Sequence, residues 1–251
     1  MTNTESVTLR VLSAGAVEYV VTQLARPFTA RTGIAVNFSF NTIAGVKQRL
    51  ANGEAGDIVI GTTAAIAQLA EAGTVIAGSG VEIGRTLSGI CVREGAAVPD
   101  ISTPEAFKAA LLASKAFAYT NPAAGGTSGI YLTGVMQKLG ILDAMTKKAV
   151  LCINGEDVVG RIVSGEADLG STFISEFFLA KGVVSAGPFP APLGNATSYS
   201  AAVLGPAHHA GGVPSPRRRE AAGQFIAAIT DAAQRPAWIA GGFEPVRWHV
   251  H

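Results

Sequence analysis

One phrase occurs twice in this chain, and it restricts the fold more than any other feature. The first copy runs Arg49-Leu-Ala-Asn-Gly-Glu-Ala-Gly-Asp57-Ile-Val-Ile-Gly-Thr62-Thr63, the second Arg161-Ile-Val-Ser-Gly-Glu-Ala-Asp168-Leu-Gly-Ser171-Thr172. Each reads as a helix end, a Gly turn, an Asp opening a short buried strand, and a hydroxyl pair where the strand stops. Units of this kind build α/β proteins with mostly parallel strand pairing. One copy in each half predicts two lobes closing on something small and anionic.

The 251 residues suffice for one large domain or two lobes of ordinary size, and 48% of them are apolar, enough for a substantial core. Only 15% are charged and the formal net charge is +1, which argues against nucleic acid as a partner. The one basic run, Arg217-Arg218-Arg219, follows Pro214 and Pro216 and reads as a solvated helix start. Cys91 and Cys152 each sit in an apolar run and read as buried thiols, with a disulfide left open. No CxxC, HExxH or DxDxDG spacing is present, so no metal and no cofactor are expected. The first ten residues lack a basic start with an apolar stretch, and no apolar run suits a membrane span. The expectation is a cytoplasmic protein as written, or a periplasmic one whose leader has been removed.

Periodicity predicts strands at Val7–Leu12, Ile34–Phe40, Ile58–Ile60, Ile83–Arg93, Ala116–Thr120, Val150–Ile153 and Thr197–Leu204. It predicts helices at 17–31, 43–50, 64–72, 101–114, 130–139, 158–163, 173–180 and 217–234, and a Pro- and Gly-rich loop over 182–191. Three turns lie between a strand and a helix: Ser13-Ala14-Gly15, Thr62-Thr63 and Gly125-Gly126-Thr127-Ser128-Gly129. Ser171-Thr172 stands at the same kind of place. A helix start carries unpaired N–H groups and partial positive charge, so it holds an anion without a basic side chain. Hydroxyls add neutral donors, and ligands of open α/β sheets sit beyond the carboxyl ends of the strands. The Gly125–Gly129 loop is neither a Walker loop nor GxGxxG, so no nucleotide is expected.

In the order of its elements the chain resembles type II periplasmic solute-binding proteins of the molybdate-binding kind. The residues that carry this are the Ser13 turn, the Gly53-Glu-Ala-Gly-Asp57-Ile-Val-Ile-Gly61 phrase, the Asn121-Pro122 turn, and Gly155-Glu156-Asp157 before Gly165-Glu-Ala-Asp168. The resemblance implies two α/β lobes, each a mostly parallel sheet flanked by helices. Two crossover strands, near Ile83–Leu87 and Thr197–Ala201, would form the hinge. Lobe one would take residues 1–84 and 202–251, lobe two residues 85–201, with the ligand in the cleft. It further implies an ABC-transporter-type binder of a small oxyanion or carboxylate, monomeric, with a permease as partner. Ser13 and Thr62 would serve from lobe one, Ser128 and the Gly155-Glu156-Asp157 turn from lobe two. The full expected set is Ser13, Ala14, Gly15, Thr62, Thr63, Gly126, Thr127, Ser128, Asp157, Ser171 and Thr172.

A nearer resemblance is to the subgroup that includes aconitate isomerase. It is carried by Glu94-Gly-Ala-Ala-Val-Pro-Asp-Ile-Ser-Thr-Pro-Glu105, by Ala118-Tyr119 leading to Ser128-Gly-Ile-Tyr131, and by the terminal Gly-Phe-Glu-Pro-Val246. It implies the alternative of a cofactor-independent isomerase moving an allylic proton on a di- or tricarboxylate. Such an enzyme needs a base; the candidates are Tyr131, Glu18 and Glu176, with His208-His209 read as a solvated pair. Arg85 and Arg161 are candidates to pair with a ligand carboxylate. The donors are clearer in the sequence than the base, so binding is the leading expectation.

Overall fold

The structure is a computed structural model that describes residues 7–208, 215–244 and 246. The chain folds as β1 (Thr8–Ala14), α1 (Glu18–Thr32), β2 (Ala35–Asn41), α2 (Ile43–Ala51), β3 (Ile58–Thr62), α3 (Thr63–Glu71) and β4 (Val81–Arg93). It continues with α4 (Pro104–Ala113), β5 (Phe117–Thr120), α5 (Thr127–Lys138), α6 (Leu142–Thr146), β6 (Ala149–Cys152), α7 (Gly155–Ser164) and β7 (Leu169–Phe173). Last come α8 (Ile174–Phe177), β8 (Val183–Pro188), β9 (Ala196–Val203), α9 (Pro216–Ile229) and α10 (Arg235–Ala240). The chain divides into two compact units. Unit 1 draws on 1–85, 198–240 and 244–251; unit 2 comprises Thr86–Thr197 and Gly241–Phe243. Strands β4 and β9 both carry the chain from one unit to the other.

In unit 1 the strand order is β2-β1-β3-β9. β1 runs parallel to β2 and β3, and β9 is antiparallel to β3. Four of the five β3 residues are buried, as a strand covered on both faces requires. Leu12, Val46, Leu50, Val59, Ile66 and Leu69 form one apolar cluster. Helices α1 and α9 pack through Phe28 and Phe225, edge to face at 5.1 Å. In unit 2 the order is β8-β4-β7-β5-β6, with β5 parallel to β6 and β7, and β4 antiparallel to β7 and β8. Its larger core gathers Phe107, Leu111, Phe117, Leu132, Met136 and Phe189.

The repeated phrase builds the same device in both units. Arg49 pairs with Glu54, and Arg161 with Glu166 at 2.6 Å, each across a Gly turn. Gly53 (φ 83°) and Gly165 (φ 80°) lie in the left-handed region that side chains disfavour. The Asp then holds the neighbouring parallel strand. Asp57 accepts from the backbone N–H of Arg10 in β1 at 2.8 Å. Asp168 accepts from the N–H groups of Lys115 at 2.9 Å and Ala116 at 3.0 Å, where the chain enters β5.

Several expectations are corrected. Ser13 and Ala14 belong to β1 rather than to a turn, and a 3-10 turn begins at Gly15. Helices α5 and α7 start three residues earlier than periodicity indicates, because their first turns are small and polar. The Gly155-Glu156-Asp157 turn is thus the first turn of α7, capped by Asn154, which accepts from Asp157 N–H at 2.8 Å. The 182–191 loop contains strand β8. Gly187 (φ 116°) lies where the register with β4 shifts, and Pro188 ends the strand. Helix α6 lies outside the expected set. The basic run does start a helix, but Arg218 is only partly solvated: it donates to buried Asp57 from Nε at 3.0 Å and Nη2 at 2.7 Å. That bond holds its guanidinium above the ordinary value. Cys91 and Cys152 are free, buried thiols. Among the described residues no helix is long and apolar enough to cross a membrane.

Candidate functional site

In unit 1 the expected residues gather at the carboxyl ends of β1 and β3. These ends lie side by side, since Ser13 is in register with Ile60. Ser13 is fully buried and its hydroxyl donates to the Ala14 carbonyl at 3.0 Å. Ala14 leads into the 3-10 turn of Gly15–Val17, which runs directly into α1. Thr62 caps α3, its hydroxyl oxygen accepting from Ala65 N–H at 3.2 Å. Thr63 shares a hydrogen bond with Ser200 of β9 at 2.8 Å. No local pattern singles out Ser200, because its place beside β3 depends on antiparallel pairing between distant segments.

Unit 2 contains a more developed cluster. Thr120 Oγ1 lies 2.9 Å from Ser128 Oγ, and Ser128 Oγ lies 3.3 Å from Thr172 Oγ1. Thr172 in turn donates to the Glu176 carboxylate. Gly129 N–H donates to Thr120 Oγ1 at 2.9 Å, and Phe173 N–H to Glu176 at 3.3 Å. Thr120, Ser128 and Thr172 are all buried. The chain of hydroxyls thus runs from the end of β5, through the first turn of α5, to the end of β7. Thr120 was missed, although it ends a strand as Thr62 does.

The glycines of the Gly125–Gly129 loop have a structural cause. A Cβ on Gly126 would meet the Thr120 side chain at 2.8 Å, and one on Gly129 would collide with the Thr120 carbonyl oxygen. They let the start of α5 lie against the end of β5. Thr127 is the first residue of α5. Likewise a Cβ on Gly155, at the start of α7, would overlap the Glu176 carboxyl group. Ser171 precedes Thr172 on β7, so its side chain leaves the other face of the strand and takes no part in this chain. Asp157 is also apart: its carboxylate accepts from Ile153 N–H and from Arg161 Nε, both at 3.0 Å.

The three candidate bases separate clearly. Glu176 ends the hydroxyl chain. Tyr131 donates to the Leu193 carbonyl at 2.8 Å and lies near-parallel to Phe189, and burial pushes its phenol up. Glu18 is exposed at the start of α1. The backbone carbonyl of His208 accepts from Gly56 N–H at 2.8 Å, and His209 lies outside the described residues. The arginines are committed to protein carboxylates. Arg85 pairs with Glu244 at 2.7 Å. Arg161 is held above its ordinary value by its bonds to Glu166 and Asp157. Among the described residues no group of three or more His, Cys, Asp or Glu side chains is placed to hold a metal ion.

The family model described as bacterial extracellular solute-binding protein matches residues 9–244. An aconitate isomerase of a Pseudomonas species is 29% identical over 240 residues, covering 91% of this chain and 88% of that protein. Among solved structures, the periplasmic molybdate-binding protein of Azotobacter vinelandii superposes with a TM-score of 0.75 at 20% identity, covering 95% of this chain and 100% of that one. The sulfate-binding protein of Mycobacterium tuberculosis gives 0.71 at 18% identity, covering 96% and 87%. These two likenesses establish the fold.

Proposed function

The chain belongs to the bacterial extracellular solute-binding protein family, and from that premise we propose that it binds a small oxyanion or carboxylate. The binding groups are hydroxyls and backbone N–H groups at the strand ends of its two units. They are Ser13, Ala14, Gly15, Thr62 and Thr63 in unit 1, and Gly126, Thr127, Ser128 and Thr172 in unit 2. The observation that carries this reading is the buried Thr120–Ser128–Thr172 hydroxyl chain at the starts and ends of secondary-structure elements. The candidate arginines Arg85 and Arg161 already hold Glu244 and Asp157 with Glu166, and Arg218 holds Asp57. Backbone N–H groups and helix N-termini are then the donors proposed for an anion. Asp157 and Ser171 drop out of the proposed set.

The extracellular family description supports work outside the cytoplasmic membrane, and delivery of the ligand to an ABC-type permease is part of the proposal. A second reading, an isomerase moving an allylic proton on a di- or tricarboxylate, is favoured by one observation. Glu176 is an acid placed on the hydroxyl chain itself, in a chain 29% identical to an aconitate isomerase. Under that reading Glu176 is the base.

A thermal-shift screen of molybdate, tungstate, sulfate, phosphate and di- and tricarboxylates tests the proposal. A ligand at a hundred times its Kd should add about 2.7 kcal/mol to stability, or about 5–10 °C for a chain of this size. Ser13→Ala and Ser128→Ala should each weaken binding about fivefold or more in calorimetry, the worth of one lost hydrogen bond. Unchanged affinity in both would sink the site assignment. Following a bound tricarboxylate by NMR separates enzyme from binder.

A further inference from the structure

The hydroxyl chain of unit 2 has a direction, and the direction restricts what it can bind. A carboxylate only accepts hydrogen bonds, whereas a hydroxyl has one hydrogen to give. Thr172 gives its hydrogen to Glu176. Its contact with Ser128 at 3.3 Å is then a hydrogen bond only if Ser128 is the donor. Ser128 has now spent its hydrogen, so its 2.9 Å contact with Thr120 requires Thr120 to donate. Thr120 accepts in turn from Gly129 N–H. One arrangement of hydrogens satisfies all four contacts: they run from Gly129 through Thr120, Ser128 and Thr172 to Glu176. Every hydroxyl hydrogen in the cluster is committed to the protein, and what remains for a ligand is lone pairs.

We propose that Glu176 determines the specificity of the unit 2 site by turning its hydroxyls into acceptors. The site then selects an anionic ligand that carries a donor hydrogen, on a hydroxyl or an acid group, over a fully deprotonated anion that can only accept. This rests on the anion-binding reading above and narrows its ligand class. An acceptor-only anion can still bind if a proton is taken up: protonated Glu176 donates to Thr172, and the chain reverses so that a hydroxyl faces the ligand as donor. Such binding is coupled to uptake of one proton from solvent. Helix α7, which packs on α8, brings Glu156, Asp157 and Arg161 as its titratable groups, and Asp157 and Arg161 are paired with each other. Strands β7 and β8 bring none, and β4, which meets α8 at Thr86 and Gly89, brings Glu82, Arg85, Cys91 and Arg93, of which Arg85 is paired with Glu244.

Calorimetry on the full chain tests this with two matched pairs of probes. Citrate carries a hydroxyl that tricarballylate lacks, and hydrogenphosphate carries an acid hydrogen that sulfate lacks. The two pairs distinguish the two sources of the hydrogen. In whichever pair binds, the donor-bearing member should bind at least about tenfold more tightly, because a mismatched buried polar pair is left by the other. Measurement in buffers of different ionisation enthalpy should show about one proton taken up with the donor-free member. Glu176→Gln keeps the side-chain shape but can donate from its amide, so it should narrow the preference to about threefold or less and abolish the uptake. If the donor-free member binds as tightly without proton uptake, or if the Gln variant binds with unchanged selectivity, the inference is overturned while anion binding stands. If no anion binds the wild-type chain, the functional reading itself has failed.

Discussion

Asp57 and Asp168 occupy the same position of the repeated phrase, yet their replacement should have very different costs. Asp57 is 1% exposed and receives hydrogen bonds from Arg10 N–H and from the Arg218 guanidinium. Asp57→Ala leaves the Arg10 N–H without its partner, a loss of about 1–3 kcal/mol. The Arg218 side chain is 36% exposed, so solvent screening leaves the ion pair near the exposed value, about 1 kcal/mol, rather than that of a buried pair. Together the loss is about 3 kcal/mol, or about 6–12 °C in melting temperature for a chain of this length. Asp168 is exposed, and the two N–H groups it holds can turn to water, so Asp168→Ala should cost less than about 1 kcal/mol. Arg218→Ala removes the cation from a buried carboxylate and should cost about as much as Asp57→Ala, while the double variant should lose clearly less than the sum. Urea and thermal unfolding followed by circular dichroism measure all four. Equal losses for Asp57→Ala and Asp168→Ala, or a strictly additive double variant, would refute the reasoning.

Gly129→Ala should destabilise by about 3 kcal/mol, the upper end for overpacking, because its Cβ meets the Thr120 carbonyl, which is part of the β5 backbone. Gly134→Ala, in the same helix with open space around its Cβ, should stabilise by about 0.5–1 kcal/mol, and urea melts of the two variants check both signs. Burial pushes the Cys91 and Cys152 thiols up to about 12 from 9.0. The native state therefore holds their protons more tightly than the unfolded chain, so their contribution to stability is complete below pH 9 and is lost as pH rises toward 12. Stability of the wild type should fall more steeply over that range than that of a Cys91→Ala, Cys152→Ala double variant, and the folded wild type should resist a thiol reagent at pH 8.

The α/β class and most elements were legible because strands such as Ile58–Ile60 and helices such as 17–31 carry their own period. What escaped was set by partners distant in sequence. Strand β8 hid behind Gly187 and Pro188, which suit an irregular pairing with β4 that no local pattern reveals. Arg218 read as solvated because Asp57 lies far away in the chain. Of the site, the hydroxyls at strand ends could be read off, but not that Thr120, Ser128 and Thr172 touch one another. Nor could sequence say that the loop glycines make room for Thr120 rather than for a ligand.

The two copies of the phrase also diverge where they matter most. In unit 1 the strand ends in Thr62, whose oxygen accepts from Ala65 N–H and starts the nine-residue helix α3. In unit 2 the strand ends one residue later, in Phe173 before the four-residue helix α8, and Thr172 beside it donates to Glu176. The same residue type thus acts with opposite polarity in the two units. An ordinary helix cap in one is replaced in the other by an acid that sets the hydrogens of three hydroxyls. Beyond capping the start of α8 through Phe173 N–H, that acid would offer an acceptor-only anion no donor and would withdraw those of the hydroxyls. Its presence is the reason to expect a ligand that brings a hydrogen of its own, and the reason the choice between binder and isomerase turns on Glu176.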